Sequence, residues 1–557
     1  MSAKYALGLD FGTNSIRALV LDLSSGEEIA SETAAYPSGA HGILLDESDP
    51  HLARQHPGDY PRSMERALKK TLAAARKRGV AGKNICGVGI DATGSTPLPV
   101  DRRAVPLGVQ ERFRNNLNAQ AWLWKDHTAA AEARIITELA AEMRPRYLAK
   151  CGGAYSSEWF FSKILHCRQV DREVFQAAYS WMELSDYIPA LLAGVKDVSH
   201  AKRNVCAAGH KAMYSEEWGG LPDREFLTRL APEMGELRNR LYEKALASDQ
   251  LAGYLSEEWA AKLDLPAGTP IAVGAIDAHS GAVGSGVGRG ILVKILGTST
   301  CDIMVFPAGE ALKDVPGVAG IVNGSVLPGY IGIEAGQSAV GDIFNWFVSR
   351  AANRGEAYHA ELTEKARRLK AGQSGLLALD WNNGNRNILT DPDLTGLLVG
   401  QTLLTTDYEI YRALIEATAF GALRIIERLE EYGIRIDKVI NCGGIAEKNG
   451  LVMQIYADVL GRPMEIAHSA QTVALGAAIM GGYAALKGQE GFRRIEEVLA
   501  RVCRVKKKVF HPNENENRTY RQLYQIYRKL HDAFGVKGSR EDLYPVMKEL
   551  LEIKREG

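Results

Sequence analysis

Two carboxylates stand where apolar runs end in glycine-rich turns. Asp277 follows Ile271-Ala272-Val273 within G-A-I-D-A-H, and Asp10 follows Tyr5-Ala6-Leu7-Gly8-Leu9 within L-D-F-G-T-N-S. An acid at the carboxyl end of a strand, where a turn begins, is where open α/β sheets keep their chemistry. A small polar turn between two β-like runs accompanies each acid: Gly12-Thr13-Asn14-Ser15 before residues 16–21, and Gly297-Thr298-Ser299-Thr300 between residues 292–296 and 301–306. The backbone N–H and hydroxyl groups of such a turn can face an anion. Either turn alone is equally an ordinary hairpin. Repeated most of a domain apart, the unit predicts two similar halves facing each other across a cleft, each offering a turn to one phosphate chain.

Further groups fall at similar places. A buried-looking strand at 85–90 delivers the turn Asp91-Ala92-Thr93-Gly94-Ser95-Thr96, and Glu334 closes an apolar run among glycines. Its carboxylate is expected to look into a cleft, with a strand-end surface charge as the alternative. Ala121-Trp122-Leu123-Trp124-Lys125-Asp126-His127-Thr128 reads equally as the wall of a polyol pocket and as a helix start with its aromatics in the core. Lys211 ends an expected loop at 207–211, where a lone lysine is usually solvated. Residues 438–441 form a strand running into Gly443-Gly444 and then a helix, so that N–H groups and a helix N-terminus are free to meet a nucleotide.

The elements that must hold these groups are those of a large α/β chain. Its 557 residues suffice for two large domains, and 46% apolar with 24% charged residues is a globular composition. Lys+Arg and Asp+Glu are equal at 67 each, which gives no global field for nucleic acid or an anionic membrane. The seven cysteines show no C-x-x-C spacing, which argues against a disulfide framework or thiolate metal site. With no leader-like segment and no membrane-length apolar run, a cytoplasmic protein is expected. Periodicity predicts helices at 61–78, 181–192, 339–347, 407–432, 451–460 and 472–485, a glycine turn at 152–159 feeding a capped helix, and a pair of charged terminal helices within 520–550.

Five motifs in order, D-F-G-T-N-S-I-R at 10–17, G-A-I-D-A-H at 274–279, G-T-S-T-C at 297–301, L-T-G-L-L-V-G-Q-T at 394–402 with A-T-A-F-G at 417–421, and C-G-G-I-A-E-K-N at 442–449, resemble the FGGY family of carbohydrate kinases. D-A-T-G-S-T-P at 91–97, L-W-K-D-H-T at 123–128, G-G-A-Y-S-S-E-W at 152–159, A-A-G-H-K at 207–211 and I-E-A-G-Q-S-A-V-G-D at 333–342 narrow the likeness to the branch that phosphorylates L-ribulose in arabinose catabolism. The turn at 91–96 is the smaller, glycine-containing variant.

The resemblance implies two actin/hexokinase-like (ribonuclease H-like) α/β domains, with mixed β-sheets flanked by helices and a deep interdomain cleft: residues 1–284, residues 285–495, and a helical extension at 496–557. It implies ATP and Mg2+ as cofactors and a small-molecule sugar as partner, with no nucleic acid or membrane, and leaves a homodimer open. By likeness Asp277 is the general base and Asp10 holds the magnesium. Gly12, Thr13, Asn14, Arg17, Gly297, Thr298 and Ser299 take the phosphates, and Gly443, Gly444 and Asn449 lie against the adenosine. Gly94, Lys211, Asp277 and Glu334 take the sugar, with Trp122, Lys125 and His127 added from the pocket reading. Other expectations are a kinase for D-ribulose, L-xylulose or a pentitol, a non-kinase ATP-switch protein of the same fold, and a sugar-binding regulator without catalysis.

Overall fold

A computed structural model describes residues 4–556. The first half is built on β1 (Tyr5–Phe11), β2 (Ser15–Asp22), β3 (Glu27–Ala35), β4 (Ile85–Ala92), β5 (Leu251–Tyr254), β6 (Pro270–Ala272) and β7 (Ala275–Ile276). Their order is β5-β6-β4-β1-β2-β3, with β7 continuing beside β4. The second half uses β8 (Ile291–Leu296), β9 (Thr300–Pro307), β10 (Gly320–Asn323), β11 (Tyr330–Ala335), β12 (Lys438–Cys442) and β13 (Met464–Ile466), in the order β10-β11-β9-β8-β12-β13. In each sheet the first strand pairs antiparallel with its hairpin partner on one side and parallel with a later strand on the other. The repeated hairpin is therefore the centre of two sheets of like topology, and the two-domain α/β expectation is met.

The helices that matter for the site are α1 (Asp59–Lys77), α2 (Phe160–Val170), α3 (Val205–Lys211), α4 (Asp277–Gly284), α5 (Asp407–Glu431), α6 (Gly450–Leu460), α7 (Thr472–Leu486) and α8 (Glu514–Gly535). α1 lays Met64, Leu68 and Leu72, all buried, on the first sheet. α5 begins in a capping box, with the Thr406 N–H donating to Glu409 Oε2 at 2.8 Å, and runs under the second core. α8 closes that core from outside by packing Tyr520, Tyr524 and Tyr527 on Phe420.

Between the halves lie α4 and α7, which touch backbone to backbone. A Cβ on Gly476 would stand 1.8 Å from the Ser280 carbonyl oxygen, and one on Gly284 would stand 1.9 Å from that of Thr472. The same helix meets the first sheet this way, Gly8 against Ala474 O and Gly89 against Ala477 O, at 2.0 and 1.8 Å from a built Cβ. Only residues without a side chain permit such contacts.

Four local expectations are corrected. Residues 207–211 are not a loop: Asn204 accepts from the Ala207 N–H at 2.6 Å and caps α3, which carries Lys211 at its end. The segment 181–192 divides into a strand, Ser180–Glu183, and a helix, Leu184–Leu192. No helix starts within 121–128; Ala121–Trp122 is a short strand paired to Arg54 and Gln55, and the helix begins at Ala130. α2 starts without a side-chain cap, because Trp159 occupies its N-cap position.

Candidate active site

The parallel register of β1 and β4 sets Asp10 opposite Asp91, and β7, also on β4, ends beside them where Asp277 begins α4. Three carboxylates thus meet at the carboxyl ends of neighbouring strands. Asp91 is fully buried and neither of its carboxylate oxygens has a hydrogen-bond partner; Asp10 is 7% exposed and receives Arg17 Nη1 at 3.2 Å. Burial, followed by the charges of Asp10 and Asp277, pushes the Asp91 carboxyl well above the usual range. Burial and then the Asp10 charge push Asp277 up to about 7, against the Ala278 N–H, which donates to Asp277 Oδ1 at 2.7 Å. Two buried carboxylates side by side cannot both be charged without a shared proton or a cation. A hard, all-oxygen donor set with two unpaired buried oxygens fits Mg2+, with Asp10 as holder and Asp91 beneath it.

Each of the two hairpin turns is closed by its own backbone. Gly12 N–H closes the first turn onto Ser15 O at 3.0 Å, and Thr13 Oγ1 accepts from the Trp124 indole at 3.0 Å. The exposed Asn14 donates its amide to His41 O at 2.7 Å. In the second turn Gly297 N–H closes onto Ser299 O at 3.0 Å, while the Thr298 carbonyl is held by the N–H groups of Val340 and Asp342 at 2.8 and 3.1 Å. Gly443, at φ 94°, passes over Leu296, and a Cβ on Gly444 would meet nothing within 4 Å. The strand-to-helix turn there is open to a ligand. Asn449 is turned the other way, its oxygen capping α6 through the N–H groups of Leu451 and Val452.

The floor between the halves is a buried ion pair. Lys211, from α3, donates to both oxygens of Glu334, at the end of β11, at 2.8 and 3.1 Å. Burial is the largest influence and opposes the Glu334 charge, but Lys211 and, beside it, His210 and His279 together hold the carboxyl well below its usual range. His210 and His279 lie beside the pair, 4.4 Å between ring centroids and tilted 45° to each other, and bring ligating atoms within 4.8 Å of those of Glu334. This trio is not a metal site. An ammonium already occupies both carboxylate oxygens, and the His210 ring lies against Gly320, where a Cβ would stand 1.9 Å from Nδ1. Burial keeps both imidazoles neutral, with His279 down at about 4.

The wall opposite is mixed. Gly94 packs on Ile276, where a Cβ would stand 2.7 Å from Cγ1. Burial raises the Asp342 carboxyl of the second half, and the half-buried Lys125 is close enough to offset part of that rise. His127 is 41% exposed, with Nδ1 3.3 Å from Ser157 Oγ and Nε2 3.9 Å from Glu158 Oε1. Trp122 does not reach the cleft: it is fully buried, its indole donates to Asn118 O at 3.0 Å, and the Arg54 guanidinium lies 3.4 Å above its ring. Of the two readings of that segment, the core one holds for Trp122. Sequence reasoning named the turn of Asp91 and the segment of Trp124 without giving either residue a role, and passed over Arg386, whose Nη2 crosses from the second half to within 3.6 Å of Glu158. Asp91 had a visible signal, since it ends an apolar strand just as Asp10 does.

Family models for the N-terminal and C-terminal domains of FGGY carbohydrate kinases match residues 5–284 and 292–485. The chain belongs to the FGGY family of carbohydrate kinases. It is similar to the ribulokinase of Geobacillus thermodenitrificans, 40% identical over 569 residues that cover 100% of this chain and 98% of that one. The ribulokinase of Mycolicibacterium smegmatis is 38% identical, covering 96% and 94% of the two chains. Among solved structures, a xyloylose kinase from Brucella ovis superposes with a TM-score of 0.78 at 19% identity, covering 95% of this chain and 99% of that one. Plasmodium falciparum glycerol kinase with ADP gives 0.76 at 15%, covering 96% and 99%. These last two carry the fold alone. Among the described residues no helix of this kinase is long and apolar enough to cross a membrane.

Proposed function

We propose that this kinase transfers the γ-phosphoryl group of ATP to the 5-hydroxyl of L-ribulose, giving L-ribulose 5-phosphate and ADP in the cytoplasmic breakdown of L-arabinose. The observation that carries the reading is the Lys211–Glu334 pair. It is buried between the halves, close enough for both charges to act on Asp277. An ammonium and a carboxylate set on fixed elements give a polyol donors and acceptors at defined positions. The full-length likeness to ribulokinases supports the ketopentose as the polyol.

In this reading Asp277 accepts the proton of the C5 hydroxyl as its oxygen bonds to the γ-phosphorus and ADP departs. Phosphoryl transfer asks little covalent chemistry of the protein, so a base that orients and accepts late suffices. Asp10 holds Mg2+, which neutralises phosphate charge when bound. Gly12, Thr13, Asn14 and Arg17 steady the phosphates from one side, and Gly297, Thr298 and Ser299 from the other. Gly443, Gly444 and Asn449 bound the adenosine, Asn449 by fixing the start of α6. Gly94, Lys125 and His127 complete the sugar wall, with Trp122 supporting it from behind. In this reading the chain divides into residues 1–284, 285–495 and a tail at 496–557 whose α8 packs on the second core.

ADP release with MgATP, measured across L-ribulose, D-ribulose, D- and L-xylulose, ribitol and glycerol, tests the reading. L-ribulose is expected to give the highest kcat/KM. A higher value for another polyol would leave the kinase and overturn the substrate.

A further inference from the structure

α2 carries a lysine on its buried face. Lys163 is fully buried, and its ammonium donates to three backbone carbonyls: Leu123 O at 2.8 Å, Ser95 O at 2.9 Å and Trp122 O at 3.4 Å. Two of those carbonyls belong to the short strand and loop leading to Lys125 and His127, and the third to the turn holding Gly94. One side chain therefore ties together the two segments assigned to the sugar wall. An ammonium has three N–H donors and no acceptor, and three carbonyls use them all.

The turn is gripped from its other side as well. Glu183, 4% exposed at the end of the strand Ser180–Glu183, accepts from the Thr96 N–H at 2.8 Å and from Ser95 Oγ. The loop has a separate anchor in Asp126, which pairs with Arg54 and accepts from the Ala53 N–H at 2.7 Å and Thr128 Oγ1 at 2.6 Å. Burial draws both groups toward neutrality, Lys163 down to about 7 and Glu183 up to about 7, and an apolar core of the same volume is often as stable. What these hydrogen-bonded groups supply is a fixed relation between two chain segments with little regular structure to hold them.

We propose that Lys163 is a positioning residue for sugar selection: its bonds to Ser95, Trp122 and Leu123 fix the spacing between the Gly94 turn and the segment carrying Lys125 and His127, and Glu183 locks the turn in register with it. Lys163 touches neither substrate. The proposal rests on the reading that these two segments line the sugar pocket.

Lys163→Met and Glu183→Gln test it, with kcat and KM determined for MgATP and for the polyol panel. Loosened positioning of substrate groups costs roughly ten- to hundredfold. Lys163→Met is therefore expected to raise the KM of the preferred sugar about tenfold and compress its kcat/KM advantage over the other polyols by a similar factor, with KM for MgATP within about twofold of wild type. Glu183→Gln keeps an acceptor for the Thr96 N–H and should shift the same ratio in the same direction by a smaller factor. It carries the test alone if Lys163→Met does not fold.

An unchanged sugar ratio in whichever variant folds, or equal losses for every polyol and for MgATP, would overturn the proposal. The wild-type panel separately decides the substrate: a preferred polyol other than L-ribulose defeats that assignment, and the Lys163 test is then read on the polyol the wild type prefers.

Discussion

Lys211→Met removes the ammonium from a place where its own side chain is 7% exposed and that of Glu334 is 9% exposed. The carboxylate left behind has His210 Nδ1 at 3.3 Å and His279 Nε2 at 3.6 Å, rings that burial keeps neutral near pH 7 while Lys211 is in place. A buried charge stripped of its partner costs about 3–5 kcal/mol. Lys211→Met/Glu334→Leu removes the charge as well and should recover most of that loss, giving a coupling of roughly 2–4 kcal/mol between the positions. The Glu334 carboxyl is lowered in the fold, so the stability it contributes is present above the ordinary carboxylate range and is lost as pH falls through that range toward the lowered value. In Lys211→Met the carboxyl loses its stabilising cation and takes up a proton at higher pH, so the deficit against wild type is largest near pH 7.5 and narrows toward pH 5. Urea unfolding followed by tryptophan fluorescence at both pH values, on wild type, both single variants and the double, reads this directly. Midpoints of the first transition are compared, since two-lobed chains depart from two-state unfolding. A Lys211→Met midpoint equal to wild type at pH 7.5, or strictly additive single effects, would refute the reasoning.

Asp277→Asn is expected to fold and still bind sugar while turnover falls by several orders of magnitude, and near-normal turnover would remove Asp277 as the base. Because a base must be unprotonated and Asp277 sits at about 7, kcat/KM for the sugar in wild type should rise tenfold per pH unit below about 7 and level above it; a flat profile from pH 5.5 to 8 would contradict this. Gly476→Ala places a methyl where a Cβ would stand 1.8 Å from Ser280 O, and overpacking of this kind costs about 1–3 kcal/mol. A wild-type urea midpoint for Gly476→Ala would show that the helices yield there.

The hairpins were legible because their signal is local: an apolar run, an acid, a small turn and another run, within about a dozen residues. Asp10, Asp277 and Glu334 could be read as cleft-facing from strand ends alone. Lys211 could not, because it becomes a ligand-like group through a partner 123 residues away. Reading Asn204 as an N-cap would nevertheless have exposed α3. Lys163 is harder still. In F-F-S-K-I-L-H-C it occupies what reads as one polar position on an amphipathic helix, and its acceptors are backbone carbonyls 40, 41 and 68 residues away, which leave no mark in side-chain composition. Trp122 was undecidable from its neighbours because an aromatic beside charges looks the same whether the charge is Lys125 at a cleft or Arg54 over its ring in the core.

The backbone contact of α4 and α7 also bears on how the two lobes can move. Where helices interlock by side chains, turning one against the other must lift knobs from holes. Here the closest contacts, at Gly476, Ser280, Gly284 and Thr472, are backbone on backbone, with Val473 packed beside them on Gly281. Asp277 stands at the first residue of α4. A turn of the lobes about that contact would carry the turn at 297–299 farther than Asp277, which stands in a helix of the contact itself.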